Sequence, residues 1–222
     1  MSMGALAAIF GTSFVVSLTG ALSPGPLTTL AVREGVRRGF WAGPALAAGH
    51  GAIELALVAG LALGLERALD RDWVAATVAL AGGTFLLWLG AQIVRTAPRQ
   101  ELRIGGGESG GEEGEAGPRS VPGLVVSGVV VSAANPFWLI WWVTIGAAYI
   151  AEALDEGVAG VGAFYGAHIL TDLGWLSLIA FALARGRRIM SRWAYRGLLL
   201  ACGVFLLALG GWFVASGLGY VV

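Results

Sequence analysis

The stretch Ala21-Leu22-Ser23-Pro24-Gly25-Pro26-Leu27 interrupts a largely apolar run, Ala5 to Val32, that contains no charged residue. Each proline lacks a backbone N–H and clashes with the preceding turn, so a helix is expected to end here and another to begin. Within a bilayer, irregular backbone is tolerated only against protein or beside a water-filled cavity. Many transporters bind their substrates at such a break. The stretch therefore predicts a transport protein with Ser23–Pro26 at its site.

The composition is typical of an integral membrane protein. Hydrophobic residues make up 57% of the 222 residues and charged residues only 13%, whereas a soluble domain carries about 25% charged residues. The formal net charge is zero, which gives no indication of nucleic acid as a partner. The single cysteine, Cys202, excludes a dithiol mechanism and a disulfide within the chain. We find no phosphate loop, zinc-ligand spacing or nucleophile motif, so we expect neither an enzyme nor a cofactor or resident metal.

Six stretches are long and apolar enough to cross a bilayer, for which about 20 residues are needed. They are residues 5–32, 40–65, 73–94, 121–151, 158–184 and 197–219. The first and fourth are too long for one straight crossing, and each contains a proline break, the second at Asn135-Pro136. The sequence therefore predicts an all-α integral membrane protein, a single domain of six transmembrane helices with the first and fourth helices broken.

The chain divides into two similar halves, residues 1–96 and 121–222, joined by a Gly/Glu-rich segment at 97–120. This composition cannot bury enough apolar surface to order itself, so the segment is predicted to be a flexible tether. Matches between the halves occur in the same order and at nearly the same offset: Pro24 with Pro136, His50 and Glu54 with His168 and Asp172, and Gly83–Ala91 with Gly203–Gly211. Because each half has three spans, the second half must cross the membrane in the opposite sense. The pattern predicts an inverted repeat with its site between the halves.

Arginine placement predicts the orientation of the chain. All fourteen basic residues are arginines, and twelve of them follow the first, third and fifth spans. These are Arg33, Arg37, Arg38, Arg95, Arg99, Arg103, Arg119, Arg185, Arg187, Arg188, Arg192 and Arg196. By the positive-inside rule they face the cytoplasm, so both termini are expected outside.

Four ionisable residues lie near the middle of predicted spans: His50 and Glu54 in the second, His168 and Asp172 in the fifth. The i, i+4 spacing places both members of each pair on one helix face. Ionisable groups at this depth are costly and mark substrate, ion or proton pathways. A purely structural role stays open as an alternative: each carboxylate or histidine could form a hydrogen bond that only stabilises the fold. The matched positions favour cation binding and proton exchange, with Glu54 and Asp172 approaching each other across a midplane cavity.

The two breaks offer complementary groups. The helix that begins at Pro26 has free N–H groups that suit a carboxylate, while unpaired carbonyls before the break suit a cation. Asn135 can donate and accept hydrogen bonds, so a zwitterion fits the whole site. The predicted substrate-binding residues are Ser23, Pro24, Gly25, Pro26, Asn135 and Pro136. Trp138, Trp141 and Trp142 either line the cavity or face lipid, and Gly49, Gly51, Gly162 and Gly166 would permit close helix packing.

Ser23-Pro24-Gly25-Pro26, the later Gly49-His50-Gly51 and Asn135-Pro136 together resemble the LysE-type translocator family of bacterial amino-acid exporters. The resemblance covers nearly the whole chain except the tether. It implies efflux of amino acids or close analogues across the inner membrane, driven by a proton or ion gradient. The sequence departs from the family pattern at Leu27, where an asparagine is common, and at Phe137, where a lysine is common. Lysine is therefore not assumed to be the substrate.

The sequence favours a secondary transporter that exports a small zwitterion such as an amino acid, so the expected partners are this substrate and the lipid bilayer. Two alternatives stay open. One is an exporter of divalent metals or other cations that uses His50, Glu54, His168 and Asp172. The other is a membrane scaffold without transport activity. The sequence allows a homo-oligomer, and it names neither the substrate nor the coupling ion.

Overall fold

A computed structural model describes residues 2–22, 25–64, 72–99, 120–186 and 191–219, and these residues are almost entirely helical. The α-helices are α1 (Met3–Ala21), α2 (Pro26–Arg38), α3 (Ala42–Ala62), α4 (Asp72–Thr96), α5 (Val121–Ala133), α6 (Pro136–Trp141), α7 (Ala147–Leu154), α8 (Gly157–Gly186) and α9 (Arg192–Gly219). A 3₁₀ turn at Ala97–Arg99 follows α4, and a π-helical turn at Trp142–Gly146 joins α6 to α7. Ser23, Pro24 and residues 100–119 of the tether lie outside the described residues.

Within the described part of the chain, four helices are long and apolar enough to cross a membrane: α1, α3, α8 and α9. They correspond to the first, second, fifth and sixth predicted spans. The third predicted span is α4, which packs along α9, and the fourth is divided between α5, α6 and α7. The chain is therefore an all-helical, multi-pass membrane protein.

Helices end and begin again around both proline motifs. Helix α1 ends at Ala21, and α2 begins with Pro26 at its first position, where a missing N–H costs nothing. Helix α5 ends at Ala133 and α6 begins at Pro136. The Asn135 side chain caps α6, because its Oδ1 accepts a hydrogen bond from the Phe137 backbone N–H at 3.2 Å. Both interruptions lie where the prolines predicted them.

The helix after the first break extends beyond residue 32, where the first predicted span ends. Helix α2 continues to Arg38, so the arginines assigned to the following loop, Arg33, Arg37 and Arg38, are helical. It ends before Gly39, whose φ of 85° suits glycine. Glu34 is buried and forms an i, i+4 ion pair with Arg38, with Oε2 and Nε 2.7 Å apart. This buried carboxylate was not predicted from the sequence, because it lies among arginines.

Two further details differ from the predictions. The π-helical turn at Trp142–Gly146 was not foreseen, since no proline or charge marks its start. At the predicted start of the tether, Ala97 is fully buried in an apolar cluster with Tyr195 and Leu199 of α9. Residues 97–99 therefore belong to the helical body, and the division of the chain into two repeats stays a prediction.

The helices pack through glycines at backbone contacts. Helix α3 packs on α5, α8 packs on α1, and α3 and α8 contact each other. A Cβ atom added at Gly49 would collide with the Val125 carbonyl oxygen, and one added at Gly83 would lie 2.9 Å from the Gly210 carbonyl oxygen. By contrast, Gly162 and Gly166 have no atom within 4 Å of an added Cβ, so the packing role expected for them is wrong.

Candidate functional site

The centre of the molecule contains the four ionisable residues from the predicted second and fifth spans. His50 and Glu54 lie one turn apart on α3, and His168 and Asp172 lie one turn apart on α8. Because the two helices are in contact, their polar faces meet. All four side chains are buried, and Glu54 is only 1% exposed.

Four nitrogen atoms surround one oxygen of Glu54. Its Oε1 lies 3.0 Å from His50 Nε2 and 3.1 Å from His168 Nε2. The indole N–H groups of Trp138 and Trp142 donate hydrogen bonds to the same oxygen, each at 3.0 Å. The other oxygen, Oε2, is buried and has no hydrogen-bond partner among the described residues. These donors can stabilise a carboxylate that would otherwise be costly to bury.

A serine fixes the position of one hydrogen on the His50 ring, at Nδ1. The Ser132 hydroxyl donates to the Gly128 carbonyl oxygen at 2.7 Å, so it accepts a hydrogen bond from His50 Nδ1, also at 2.7 Å. Nδ1 therefore carries a hydrogen, and Nε2 faces Glu54 Oε1. At 3.0 Å these two atoms share a proton, which either makes His50 an imidazolium or neutralises Glu54.

His168 is held in a matching way by a serine from the other side of the site. Its Nδ1 lies 2.6 Å from Ser17 Oγ on α1, as His50 Nδ1 lies beside Ser132 on α5. Both serines are buried. Neither serine was predicted from the sequence, although Ser17 and Ser132 are separated by nearly the same offset as His50 and His168. That match was the available signal.

Asp172 has different surroundings from Glu54, its predicted counterpart. Its Oδ2 lies 3.3 Å from His168 Nε2 and 3.7 Å from His50 Nε2. This oxygen is buried and makes no hydrogen bond with any described residue. Neither of the indoles that donate to Glu54 reaches it in the described hydrogen bonds. The two carboxylates occupy matched sequence positions but are not equivalent in structure.

A cavity of about 80 Å³ opens beside this cluster. Its volume is enough for several water molecules. The lining residues are Gly20, Ala21, Gly25, Leu27, Thr28, His50, Glu54, Asn135, Phe137, Trp138, Trp141, Trp142, His168, Asp172, Trp175, Leu176 and Leu209. Groups from both breaks thus meet the ionisable cluster at one cavity.

The predicted substrate-binding residues divide into three groups. Gly25 and Asn135 line the cavity. Pro26 and Pro136 are buried but are not among the lining residues, because their rings begin helices and pack within the protein. Ser23 and Pro24 lie outside the described residues.

The tryptophans after the second break line the cavity rather than facing only lipid. Trp141 donates its indole N–H to Thr19 Oγ1 at 3.2 Å, and its ring centre lies 4.9 Å from that of His168. The Trp142 ring is 4.8 Å from His168 on another side. Trp175 of α8, which the sequence analysis did not select, also lines the cavity, and its buried Nε1 has no hydrogen-bond partner among the described residues.

The LysE type translocator family matches residues 18–217, which include both breaks and the whole polar cluster. The chain belongs to this family. It is 31% identical over 208 residues to the chemotactic transduction protein ChpE of Pseudomonas aeruginosa, an alignment that covers 92% of this chain and 96% of that protein. No solved structure matches the chain. Family membership confirms the resemblance seen in the sequence and makes this LysE-type protein a membrane exporter.

Proposed function

We propose that this LysE-type protein is a secondary active exporter, which moves an amino acid or a related small zwitterion across the bacterial inner membrane in exchange for protons. The observation that carries the proposal is the contact of Glu54 Oε1 with both histidine Nε2 atoms, at 3.0 and 3.1 Å. A buried carboxylate that shares a proton with two histidines can gain or release that proton when the cavity changes its access. Intramembrane acids and histidines commonly form such relays.

Competition for the combined negative charge of Glu54 and Asp172 would couple the proton to the substrate. Glu54 and Asp172 line one cavity, and both lie within 3.7 Å of His50 Nε2. A cationic substrate group is stabilised only while a nearby carboxylate stays ionised, and a proton removes that charge. Substrate and proton would therefore exclude each other, as exchange across a membrane requires.

The cavity also supports a zwitterion rather than a simple cation. Gly25, Leu27 and Thr28 bring the N-terminal end of α2 to the cavity, where free N–H groups and the helix dipole favour a carboxylate. Asp172 offers an acceptor for an ammonium group in the same cavity. Leu176 and Leu209 supply apolar surface for a short side chain.

Reciprocal contacts support the six-span inverted repeat as part of the proposal. Serine–histidine pairs join α1 to α8 and α5 to α3, and the same helix pairs pack together. In α4 and α9, Gly83 meets Gly210 and Gly90 meets Gly203. An internal two-fold axis would exchange the members of each pair of contacts, as expected for inverted halves.

Carboxamide variants in liposomes test the proposal. Glu54→Gln and Asp172→Asn keep the size and much of the hydrogen bonding of each side chain but remove its titration. We expect at least one of them to abolish export driven by a proton gradient, measured with a panel of labelled amino acids, while the protein still elutes as a folded species. Glu152→Gln, at an exposed carboxylate, is the matched control. Export by both variants at the unmodified rate would overturn proton coupling through these acids.

A second candidate function is export of a divalent metal ion. Donor atoms of His50, Glu54 and Asp172 all lie within 4.8 Å of one another, and imidazole with carboxylate suits zinc and similar ions. The serine bound to His50 Nδ1 would orient the ring as outer-shell partners of metal ligands do. A panel of metal ions in the same liposomes separates the two candidates. If neither panel is transported, a role without transport, of the kind suggested by the name of the chemotactic transduction relative, becomes the better proposal.

A further inference from the structure

We infer that Asp172 and Trp175, one turn apart on α8, bind the ammonium and carboxylate groups of the substrate, whereas Glu54 holds the exchanged proton. This assignment deepens the proposed function and rests on the export of a zwitterion. It divides between two carboxylates the roles that the sequence analysis gave to both. It also assigns Trp175, which no motif in the sequence marked.

Glu54 is already held by protein groups. Its Oε1 accepts hydrogen bonds from Trp138 and Trp142 and contacts both histidines, so protein donors compensate its charge. A substrate ammonium group would have to compete with four nitrogen atoms for this oxygen. The exchanged proton would be shared between Glu54 Oε1 and a histidine Nε2, which lie 3.0 to 3.1 Å apart. These surroundings suit a fixed proton site.

Asp172 and Trp175 are less fully satisfied by protein groups, although Asp172 Oδ2 also lies 3.3 Å from His168 Nε2 and 3.7 Å from His50 Nε2. Asp172 Oδ2 is a buried acceptor without a hydrogen-bond partner among the described residues, and Trp175 Nε1 is a buried donor that also lacks one. Both residues line the cavity, and their i, i+3 spacing places them on one face of α8. Buried polar atoms are rarely left unpaired in folded proteins. A ligand in the cavity that both donates and accepts would satisfy the two atoms together.

An α-amino acid has that chemistry. Its ammonium group donates hydrogen bonds and its carboxylate accepts them, and one carbon atom separates the two groups. The ammonium would bind the Asp172 carboxylate, and the carboxylate would accept the Trp175 indole N–H. Leu176, the next residue in the chain, also lines the cavity and would contact the substrate side chain.

The other half of the chain does not provide an equivalent pair. The residue three positions after Glu54 is Leu57, which has no side-chain donor, whereas Trp175 is three positions after Asp172. Conversely, the two indoles that hold Glu54 come only from the segment after the second break. The matched carboxylates thus have different neighbours, and the difference points to different roles.

The experiment measures the binding of a panel of labelled L-amino acids to the full chain in detergent. With the amino acid that the unmodified protein binds most tightly, Trp175→Phe should raise the dissociation constant about tenfold, since it removes one hydrogen bond to a charged group. The methyl ester of that amino acid has no carboxylate, so it should bind the variant and the unmodified protein equally. Trp212→Phe, at a 58% exposed tryptophan of α9, is the matched control and should change neither.

The same design tests the two acids. Asp172→Asn should weaken binding of the amino acid but not of its N-acetyl form, which has no ammonium group. Glu54→Gln should keep amino-acid binding and lose proton-driven export. Unchanged amino-acid binding by Trp175→Phe, or an equal loss for the ester, would overturn the assignment of Trp175. If the unmodified protein binds no amino acid, the proposed function falls together with this inference.

Discussion

The orientation of the two histidines depends on serines from other helices. Ser132 on α5 accepts a hydrogen bond from Nδ1 of His50, and Ser17 on α1 lies 2.6 Å from Nδ1 of His168. Each imidazole therefore turns its Nε2 towards Glu54. Without a fixed partner at Nδ1, the ring could rotate or adopt the other tautomer, and the shared proton would lose its defined position.

Replacing these serines should impair export more than folding. We expect Ser132→Ala and Ser17→Ala each to lower proton-driven export of amino acids in liposomes by about tenfold, the lower end of what outer-shell partners contribute in metal sites. Thr12→Ala on α1 is the control, because the Thr12 hydroxyl bonds only to carbonyls of its own helix in the described contacts. If both serine variants export at the rate of the control, the histidines do not need these partners.

At the residue scale, the sequence predicted the ionisable cluster but not its serine partners, and it left the tryptophans either in the cavity or facing lipid. His50, Glu54, His168 and Asp172 were recognisable because charge inside an apolar span is costly and therefore conspicuous. Buried serines and tryptophans carry no such signal, because neither side chain is charged. Which of them meets a histidine or a carboxylate depends on how helices far apart in sequence pack.

At the element scale, close contact between α3 and α5 depends on glycines that face a neighbouring backbone. Gly49 lies against Val125, and Gly128 lies against Leu46, in each case at a carbonyl oxygen. Such contacts position α3 beside the helix that carries Ser132. Small residues allow this approach between membrane helices, where packing supplies much of the association energy.

A pair of matched substitutions tests this packing. Gly49→Ala should lower the melting temperature in detergent by several degrees, because the added methyl group forces apart two backbones and overpacking costs about 1–3 kcal/mol. Gly162→Ala on α8 makes the same chemical change where no atom lies within 4 Å of the new Cβ, so it should leave the melting temperature unchanged or raise it. An equal effect of the two changes would contradict the packing argument.

The sequence predicted the elements best where proline decides the backbone. Pro26 and Pro136 begin new helices because a proline ring fits the first turn and no later one. The extension of α2 to Arg38 was missed because arginines were treated as loop residues, although arginine is a good helix former. The π-helical turn at Trp142–Gly146 has no local signal that single-residue preferences could reveal.

At the scale of the whole molecule, the arginine-bearing helix ends lie together. Val36 near the end of α2, Ile93 near the end of α4 and Tyr195 near the start of α9 belong to one buried cluster. The end of α8 joins them, since Gly35 packs against Ala180. Arginines at these four ends are Arg37, Arg38, Arg95, Arg99, Arg185, Arg192 and Arg196. These seven described arginines thus lie on one side of the molecule, which the order of residues alone could only suggest.

The position of these arginines on one side leads to a prediction about the orientation of the protein in the membrane. Positive loops stay in the cytoplasm during insertion, so the arginine-bearing side should face inward, with residues 100–119 inside and both termini outside. Single cysteines placed at Gly110 and at Val222, both outside the described residues, test it in a Cys202→Ala background. An impermeant maleimide applied to intact cells with a permeabilised outer membrane should label Val222→Cys and spare Gly110→Cys.

Disrupting the inner membrane should then expose Gly110→Cys to the same reagent, which shows that its protection came from the bilayer and not from burial. A cysteine in place of Val15, a residue of α1 that is 64% exposed, should stay unlabelled in both preparations because lipid surrounds it. The reverse pattern, with Gly110→Cys labelled and Val222→Cys spared in intact cells, would show that the protein has the opposite orientation in the membrane. The Gly25–Thr28 end of α2 would then approach the cavity from the opposite side of the membrane, while the proton gradient would still set the direction of the exchange.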